Sequence, residues 1–364
     1  MHILNHIKIF FITIFICNLI FAEETYFINT TSGISKGIDE KGVITWHDLP
    51  YAKPPINELR WMAPRSIENE LFIINDKKNN FCVQRPSSLG GANGEGDFVG
   101  TEDCLYLDIR KPKNSDKKLP VMFWIHGGGN TSGLKDIYDF SGLVKKEEVI
   151  VVSINYRLGP FGWFSHPSIQ NFQSGLDKTS NFGTLDIIKA LEWVNKNIEK
   201  FGGDKNNITI FGESAGGHNV LSLLVAPQAK GLFDKAISQS GYTTSISYEI
   251  AHNSEHESIN YINSQEIIEN LIDDPENIDA VRSKILDIPA YEFYSYYSKD
   301  ALREIPLMTN DGIVIPKDGL YESLKNPTDT TIPVIAGSNR DEVKLWIGTA
   351  LYFIQPEYSF FGSI

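Results

Sequence analysis

A serine flanked by two glycines separates a short apolar run from a helical stretch, and this junction limits the folds open to the chain. Residues 208–211 are rich in β-branched and aromatic side chains and predict a strand, whereas residues 215–225 favour a helix. Between them lies the segment Gly212-Glu213-Ser214-Ala215-Gly216. Its glycines allow a sharp turn without Cβ clashes. A strand, a tight turn carrying a serine and then a helix are the context in which such a serine serves as a nucleophile.

Other short apolar runs alternate with helical stretches along the chain. Strands are predicted at residues 121–125, 149–154, 235–238 and 332–336, and an amphipathic helix at residues 185–198. This alternation predicts an α/β fold with a mostly parallel central sheet and helices on both faces. We expect residues 248–300, which are acidic and rich in Tyr and Asn, to form an insertion packed on that sheet.

The first 22 residues have the character of a signal peptide. Residues 9–21 form an apolar run that is too short to span a membrane comfortably, and Ala22 offers a cleavage point. We therefore predict a signal peptide at residues 1–22, a single domain over residues 23–364, and export to the periplasm or the medium. An uncleaved N-terminal anchor is the alternative.

The cysteine count agrees with export. The chain has three cysteines, and removal of Cys17 with the signal peptide leaves Cys82 and Cys104. An even pair in an oxidising compartment predicts one disulfide, the alternative being two separately buried thiols. No Cys/His cluster has the spacing of a zinc site. The net charge of −13 disfavours binding to nucleic acid through phosphate neutralisation.

A glycine run follows the predicted strand at residues 121–125. His126 is succeeded by Gly127, Gly128 and Gly129. Such a run can direct backbone N–H groups at the oxyanion of an acyl-transfer intermediate, together with the N–H of Ala215. The alternative is a glycine turn that binds no ligand.

With these motifs the sequence resembles the type-B carboxylesterases, the group of α/β-hydrolases that includes the cholinesterases. The resemblance extends from about residue 30 to the last residues. Besides the Ser214 and glycine-run motifs it rests on PYAKPP at residues 50–55, EDCLYLD at 102–108, NYRLG at 155–159 and QSG at 239–241. It implies a serine esterase acting on small-molecule esters, with no metal and no organic cofactor.

The resemblance also implies a role for individual residues. Ser214 is the expected nucleophile and Glu342 the acidic member of a Ser-Glu-His triad. Around them it implies oxyanion donors at Gly128, Gly129 and Ala215, supporting polar groups at Glu213 and Ser240, a disulfide between Cys82 and Cys104, and buried ion pairs between Arg60 and Glu102 and between Arg157 and Asp186.

The histidine of the triad is missing from its expected place. In this fold it follows the acid, but the 22 residues after Glu342 contain no histidine. His126 has no base role by resemblance, and His218 should point along its helix. We therefore expect a chain that is incomplete at its C-terminus.

Two features bear on specificity. Residues 83–103 contain no Trp, which disfavours a choline ester, and Asn130-Thr131-Ser132 is expected to alter the acyl pocket beside the glycine run. A non-catalytic esterase-like binding protein and an inactive truncated pseudo-enzyme are the alternatives to a serine esterase.

Overall fold

A ten-stranded sheet forms the centre of the fold in a computed structural model. The residues described are 26–67, 73–74, 79–87, 90–115, 117–252, 261–297, 305–327, 331–342, 344, 358–359 and 362–363. The predicted signal peptide lies outside them. The strands of the sheet are β1 (Tyr26–Thr30), β2 (Gly33–Asp39), β3 (Val43–Pro50), β4 (Ile73–Ile74), β5 (Tyr106–Pro112), β6 (Leu119–Ile125), β7 (Ile150–Ile154), β8 (Gly203–Glu213), β9 (Lys235–Gln239) and β10 (Val334–Gly337). A separate hairpin pairs β11 (Tyr358–Ser359) with β12 (Gly362–Ser363).

The sheet is mixed, and the predicted parallel strands form one half of it. Its order is β1-β2-β3-β5-β7-β6-β8-β9-β10, with β4 beside β2. Strands β7, β6, β8, β9 and β10 are mutually parallel, whereas β1, β2, β3, β5 and β7 pair antiparallel. The parallel strands were predictable because strands such as β7, buried along its whole length, have continuous apolar sequences. In β2 buried and partly exposed residues alternate, which gives a weaker signal.

The fold has helices that pack on the sheet and further helices within residues 248–300, the region that was expected to be an insertion. They are α1 (Ser141–Glu147), α2 (Gly159–Gly162), α3 (Pro167–Gln170), α4 (Phe182–Asn197), α5 (Ala215–Leu223), α6 (Tyr248–His252), α7 (Ser264–Leu271), α8 (Ile278–Asp287), α9 (Ala290–Tyr296) and α10 (Gly319–Ser323). Helices α4 and α5 are buried over most of their length and correspond to the two predicted helices. Among the described residues, no helix has the length and apolar character needed to cross a membrane.

An aromatic cluster joins α7, α8 and α9 to the sheet domain. Phe293 of α9 lies with its ring centroid 5.1 Å from that of Trp61, and Trp61 stacks on Phe164 at 4.5 Å. Ile268 of α7 and Ile285 of α8 are buried in the same cluster. The described part of residues 248–300 therefore packs on the sheet domain, as the sequence predicted.

Both ion pairs implied by the resemblance are present. Arg157 donates two hydrogen bonds to the buried carboxylate of Asp186, at 2.7 and 2.8 Å. Arg60 bonds both carboxylate oxygens of Glu102 and also donates to the carbonyls of Ile285 and Ile288. The Arg60 pair thus also ties α8 and the residue after it to the rest of the chain.

Cys82 and Cys104 form a disulfide that closes a loop with a sequence separation of 22 residues. Replacing both cysteines with alanine is expected to lower the free energy of unfolding by about 3 kcal/mol, because the unfolded chain regains loop freedom. Urea denaturation of the two proteins with and without dithiothreitol measures this. The reductant should shift the wild-type midpoint to that of the variant and leave the variant unchanged. Equal midpoints without reductant would contradict the prediction.

Candidate active site

Ser214 lies at a strained turn between β8 and α5. Its backbone has φ 58° and ψ −121°, a conformation that a residue with a Cβ rarely adopts and that costs about 1–3 kcal/mol. Its N–H donates to the carbonyl of Gln239 at 2.8 Å, which anchors the turn to the end of β9. The residue is half-buried. The surrounding structure therefore imposes the unusual backbone conformation of Ser214.

The two glycines of the motif permit close packing beneath Ser214. A Cβ at Gly216 would lie 2.1 Å from the carbonyl oxygen of Ile125, and one at Gly212 would lie 2.7 Å from the same atom. Neither glycine has a positive φ. The sequence interpretation assigned the sharp turn to these glycines. The unusual dihedral belongs instead to Ser214, and the glycines allow α5 and β8 to approach the end of β6.

The glycine run lies directly beside Ser214. A Cβ on Gly127 would be 3.2 Å from the Cβ of Ser214, and Gly128 and Gly129 have φ of 101° and 64°. Among the described residues, none accepts a hydrogen bond from the backbone N–H of Gly128, Gly129 or Ala215. Ala215 is also the first residue of α5, where the helix dipole favours negative charge. These N–H groups are available to a negatively charged oxygen next to Ser214.

Glu342 is held by hydrogen bonds from two segments. The hydroxyl of Ser240 donates to its Oε1, and the backbone N–H and side-chain amide of Asn339 donate to the same oxygen at 2.9 and 3.1 Å. These bonds, that from Ser240 foremost, lower the pKa of Glu342, so its carboxylate is ionised at neutral pH. The sequence interpretation missed Asn339, whose only signal was its place in the segment that carries Glu342.

Glu213 is electrostatically coupled to Glu342. Its side chain is partly buried, and burial together with the negative charge of Glu342 raises its pKa. Glu213 directly precedes Ser214, so Glu342 lies within electrostatic range of the residue next to the serine.

His126 and His218, the histidines nearest to the two motifs in sequence, are engaged elsewhere. His126 Nδ1 donates to the carbonyl of Gly127 at 2.8 Å and its ring stacks on Tyr156. His218 Nε2 donates to the carbonyl of Thr244 at 2.9 Å and its ring stacks on Tyr242. Burial lowers the pKa of both imidazoles to about 4.

Two of the other described histidines are hydrogen-bonded to nearby side chains. His47 bonds Asp108 and Glu40, and His166 bonds Ser168 and Gln265. His252 lies against the ring of His166, and His256 is outside the described residues. Within the described part of the chain, no histidine is hydrogen-bonded to Ser214 or Glu342.

One group of described side chains has the spacing of a metal site, but a lysine lies within it. The group comprises His47, Asp108 and Asp136. The ammonium of Lys135 is 2.8 Å from Asp108, 2.7 Å from Asp136 and 2.9 Å from Asp48. Lys135 is fully buried, so an internal cation already satisfies these carboxylates.

Asn130 is the first residue of the segment that was expected to alter the acyl pocket, and it is buried. Its side chain is fully buried, and its Oδ1 accepts a hydrogen bond from Asn219 at 2.8 Å and lies 3.3 Å from the hydroxyl oxygen of Tyr156. Asn130 therefore belongs to the interior beneath the run. The sequence interpretation did not single out Asn219 or this role of Tyr156, because no local pattern indicates which buried amides will meet.

Comparisons with known proteins show which proteins this chain is similar to. The sequence model of a family described as "Carboxylesterase family" matches residues 24–357. The para-nitrobenzyl esterase of Bacillus subtilis (strain 168) is 42% identical over 226 residues, and liver carboxylesterase B-1 of Rattus norvegicus is 32% identical over 351 residues. A solved carboxylesterase from Geobacillus stearothermophilus superposes with a TM-score of 0.75 at 32% identity, and a solved PNB esterase with 0.74 at 32%.

The aligned part covers only a portion of these relatives. The alignments take in 62% of this chain and 45% of the Bacillus subtilis protein, and 87% of this chain and 58% of the rat protein. The structural superpositions cover 91% of this chain and 65% of the Geobacillus stearothermophilus protein, and 88% and 64% for the PNB esterase. These superpositions support an α/β-hydrolase fold.

Proposed function

Because the chain belongs to the carboxylesterase family, we propose that it serves in carboxylic ester hydrolysis through an acyl-enzyme formed on Ser214. The observation that carries the proposal is the strained turn at Ser214 beside backbone N–H groups without a described acceptor. Strain of this kind persists where the surrounding structure enforces it, and it is concentrated at functional sites. An ordinary helix start would not need it.

The proposed reaction is an acyl transfer in two steps. The hydroxyl oxygen of Ser214 attacks the ester carbonyl while a base takes its proton, and the N–H groups of Gly128, Gly129 and Ala215 stabilise the oxyanion. The tetrahedral adduct collapses, and the alcohol leaves with the proton. Water then cleaves the acyl-serine by the same sequence.

Glu342 is the proposed acidic member of a Ser-Glu-His triad. Its ionised carboxylate, held by Ser240 and Asn339, is suited to orient an imidazolium. No described histidine is hydrogen-bonded to Ser214 or Glu342, so we assign the imidazole of the triad to none of them. We assign supporting roles to Glu213, which directly precedes Ser214, and to Ser240, whose hydroxyl holds the carboxylate of Glu342.

A second candidate is a protein of this family that does not turn over esters, either an esterase-like binding protein or an inactive truncated form. It is favoured by one observation, that no described histidine is hydrogen-bonded to Ser214 or Glu342. The strained turn at Ser214 counts against it, because a binding protein has no need of this conformation.

Covalent labelling separates the two candidates. The full chain is incubated with a fluorophosphonate, with and without added imidazole, and adducts are located by intact mass and peptide mapping. We expect a single adduct on Ser214 that forms faster as imidazole rises, because the soluble base accepts the serine proton while fluoride leaves phosphorus. The Ser214→Ala variant corrects for other sites. An unmodified Ser214 at high imidazole would reject the nucleophile assignment.

The proposed substrates are small esters whose alcohol part is not choline. In the loop closed by the disulfide, the aromatic ring of Phe98 has the guanidinium of Arg85 at 5.9 Å from its centroid. A positive group therefore already lies against the aromatic ring of this loop. A second cation, such as a quaternary ammonium, would be repelled there.

We also infer that the protein is exported. The disulfide between Cys82 and Cys104 fits an oxidising compartment, and residues 1–22 have the composition of a signal peptide. Export with cleavage after Ala22 leaves the proposed domain, residues 23–364. Mass spectrometry of the N-terminus of the protein purified from its source tests this.

A further inference from the structure

We propose that a buried amide pair, Asn130 and Asn219, positions the oxyanion loop against the helix that begins after Ser214. The oxyanion loop is defined here as residues 127–129. The inference rests on the proposed function, since it assigns these residues a part in orienting the oxyanion donors. Neither residue would touch the substrate, so both are positioning residues.

Both ends of the oxyanion loop are held by hydrogen bonds. On the N-terminal side, the hydroxyl of Tyr156 donates to the carbonyl of His126 at 2.7 Å. On the C-terminal side, the backbone carbonyl of Asn130 accepts from the N–H of Gly159 at 2.7 Å. These bonds attach the loop to the segment that follows β7, but they do not attach it to α5.

The side chain of Asn219 makes the connection to α5. Its Nδ2 donates to Oδ1 of Asn130 at 2.8 Å, and Asn219 lies on the helix whose N-cap is Ser214. Asn130 has φ 57°, in the left-handed region that asparagine tolerates better than most residues. The pair therefore joins the residue after the oxyanion loop to the helix that carries the proposed nucleophile.

Burial makes the two amides depend on each other. Both side chains have 0% exposure, and Nδ2 of Asn130 and Oδ1 of Asn219 have no hydrogen-bond partner among the described residues. Removing either amide leaves the other with a further unpaired polar group in the interior. The structure can relieve this by moving the loop away from α5, which would displace the N–H groups of Gly128 and Gly129.

Labelling of Ser214 tests the positioning. The full chain, Asn219→Ala, Asn130→Gly and the double variant are labelled with the fluorophosphonate at fixed imidazole. We expect each single variant to label at about one tenth of the wild-type rate or below, because small displacements of catalytic groups are costly. The double variant should react no more slowly than the slower single variant.

Asn197→Ala is the matched control. Asn197 is also a fully buried asparagine on a helix, and its Nδ2 donates to Thr31 and Trp193 at 2.8 and 2.9 Å. Its loss should lower the melting temperature without changing the labelling rate measured below melting. Equal slowing in Asn197→Ala and Asn219→Ala would reduce the role of Asn219 to general stability and overturn the proposal.

Hydrogen exchange provides a readout that does not need a reactive serine. The N–H groups of Thr131 and Ser132 donate to the carbonyl of Gly128, so their exchange reports on the turn that ends the loop. We expect faster exchange in the peptide over residues 126–133 for Asn219→Ala and not for Asn197→Ala. If this exchange pattern is found but Ser214 of the wild type is not labelled, the proposed function is refuted and the positioning role is not. Unchanged exchange in Asn219→Ala would refute the positioning role.

Discussion

Replacing Gly216 with alanine is expected to lower the labelling rate of Ser214 by at least about 100-fold. The added Cβ would lie 2.1 Å from the carbonyl oxygen of Ile125 and 2.9 Å from that of His126. Both are backbone atoms, so no side-chain rotation can relieve the clash. Helix α5 must move away from β6 and the oxyanion loop, and a displacement of about 1 Å is enough for a loss of this size.

The measurement compares labelling rates in imidazole and melting temperatures for Gly216→Ala and Gly142→Ala. Gly142 lies on α1, and a Cβ there would meet nothing within 4 Å. Gly142→Ala should label at the wild-type rate and be at least as stable, since alanine favours a helix. A Gly216→Ala protein that labels normally would show that close packing of α5 against β6 is not required.

Replacing Lys135 with methionine is expected to lower the free energy of unfolding by about 3–5 kcal/mol at neutral pH. Lys135 lies between the fully buried carboxylates of Asp48 and Asp108, 2.9 and 2.8 Å away. Removing the cation leaves negative charges in the interior without their main partner, which is far more costly than the loss of an exposed ion pair.

The deficit should depend on pH. Burial by itself would raise the pKa of Asp108, but the charges of Lys135 and His47 outweigh it and hold the pKa well below its usual range. In the wild type, Asp108 therefore contributes stability above the pKa of an unfolded aspartate, about 4, and loses it as the pH falls towards the lower folded value. Without Lys135, fewer positive charges oppose the effect of burial on Asp108, so its pKa rises. Protonation of Asp108 then stabilises the variant at a higher pH than the wild type, and the difference in stability narrows in acid.

Urea denaturation at several pH values measures this difference, with Lys118→Met as the control. Lys118 pairs with Glu199 at 2.9 Å, but its side chain is 65% exposed. Its loss should change stability by no more than about 1 kcal/mol. A deficit for Lys135→Met as small as that of the control, or one that grows in acid, would disprove the account of the buried charges.

Local sequence patterns were sufficient for the elements around Ser214. The apolar runs at residues 121–125 and 208–211 became β6 and β8, and the helix predicted after Ser214 became α5. These elements were predictable because their burial on both faces requires apolar residues throughout. Strands β1 to β5 were not predicted. In β2 buried and partly exposed residues alternate, whereas β3 and β5 are mostly buried but have polar residues such as Asp48 and Asp108 within their sequences.

The polar contacts of the site could not be read from the same patterns. Lys135 and Asp136 resemble an exposed charged pair in the sequence, yet Lys135 is fully buried. The partner of Ser240 is Glu342, 102 residues away, and that of Asn130 is Asn219, 89 residues away. For Glu342 the resemblance to a family supplied what residue spacing could not.

The sequence by itself determined the strand–turn–helix around Ser214, the glycine run that follows β6 and the cysteine pair, because each depends on residues that are close in the chain or on a simple count. The tertiary structure alone decided that Ser214 takes up the positive φ, that His126 and His218 are engaged elsewhere, and that Asn130 points inward to Asn219. The periodicity of apolar residues indicates which side chains are buried. The choice of partner for a buried polar group is made only when distant segments pack together.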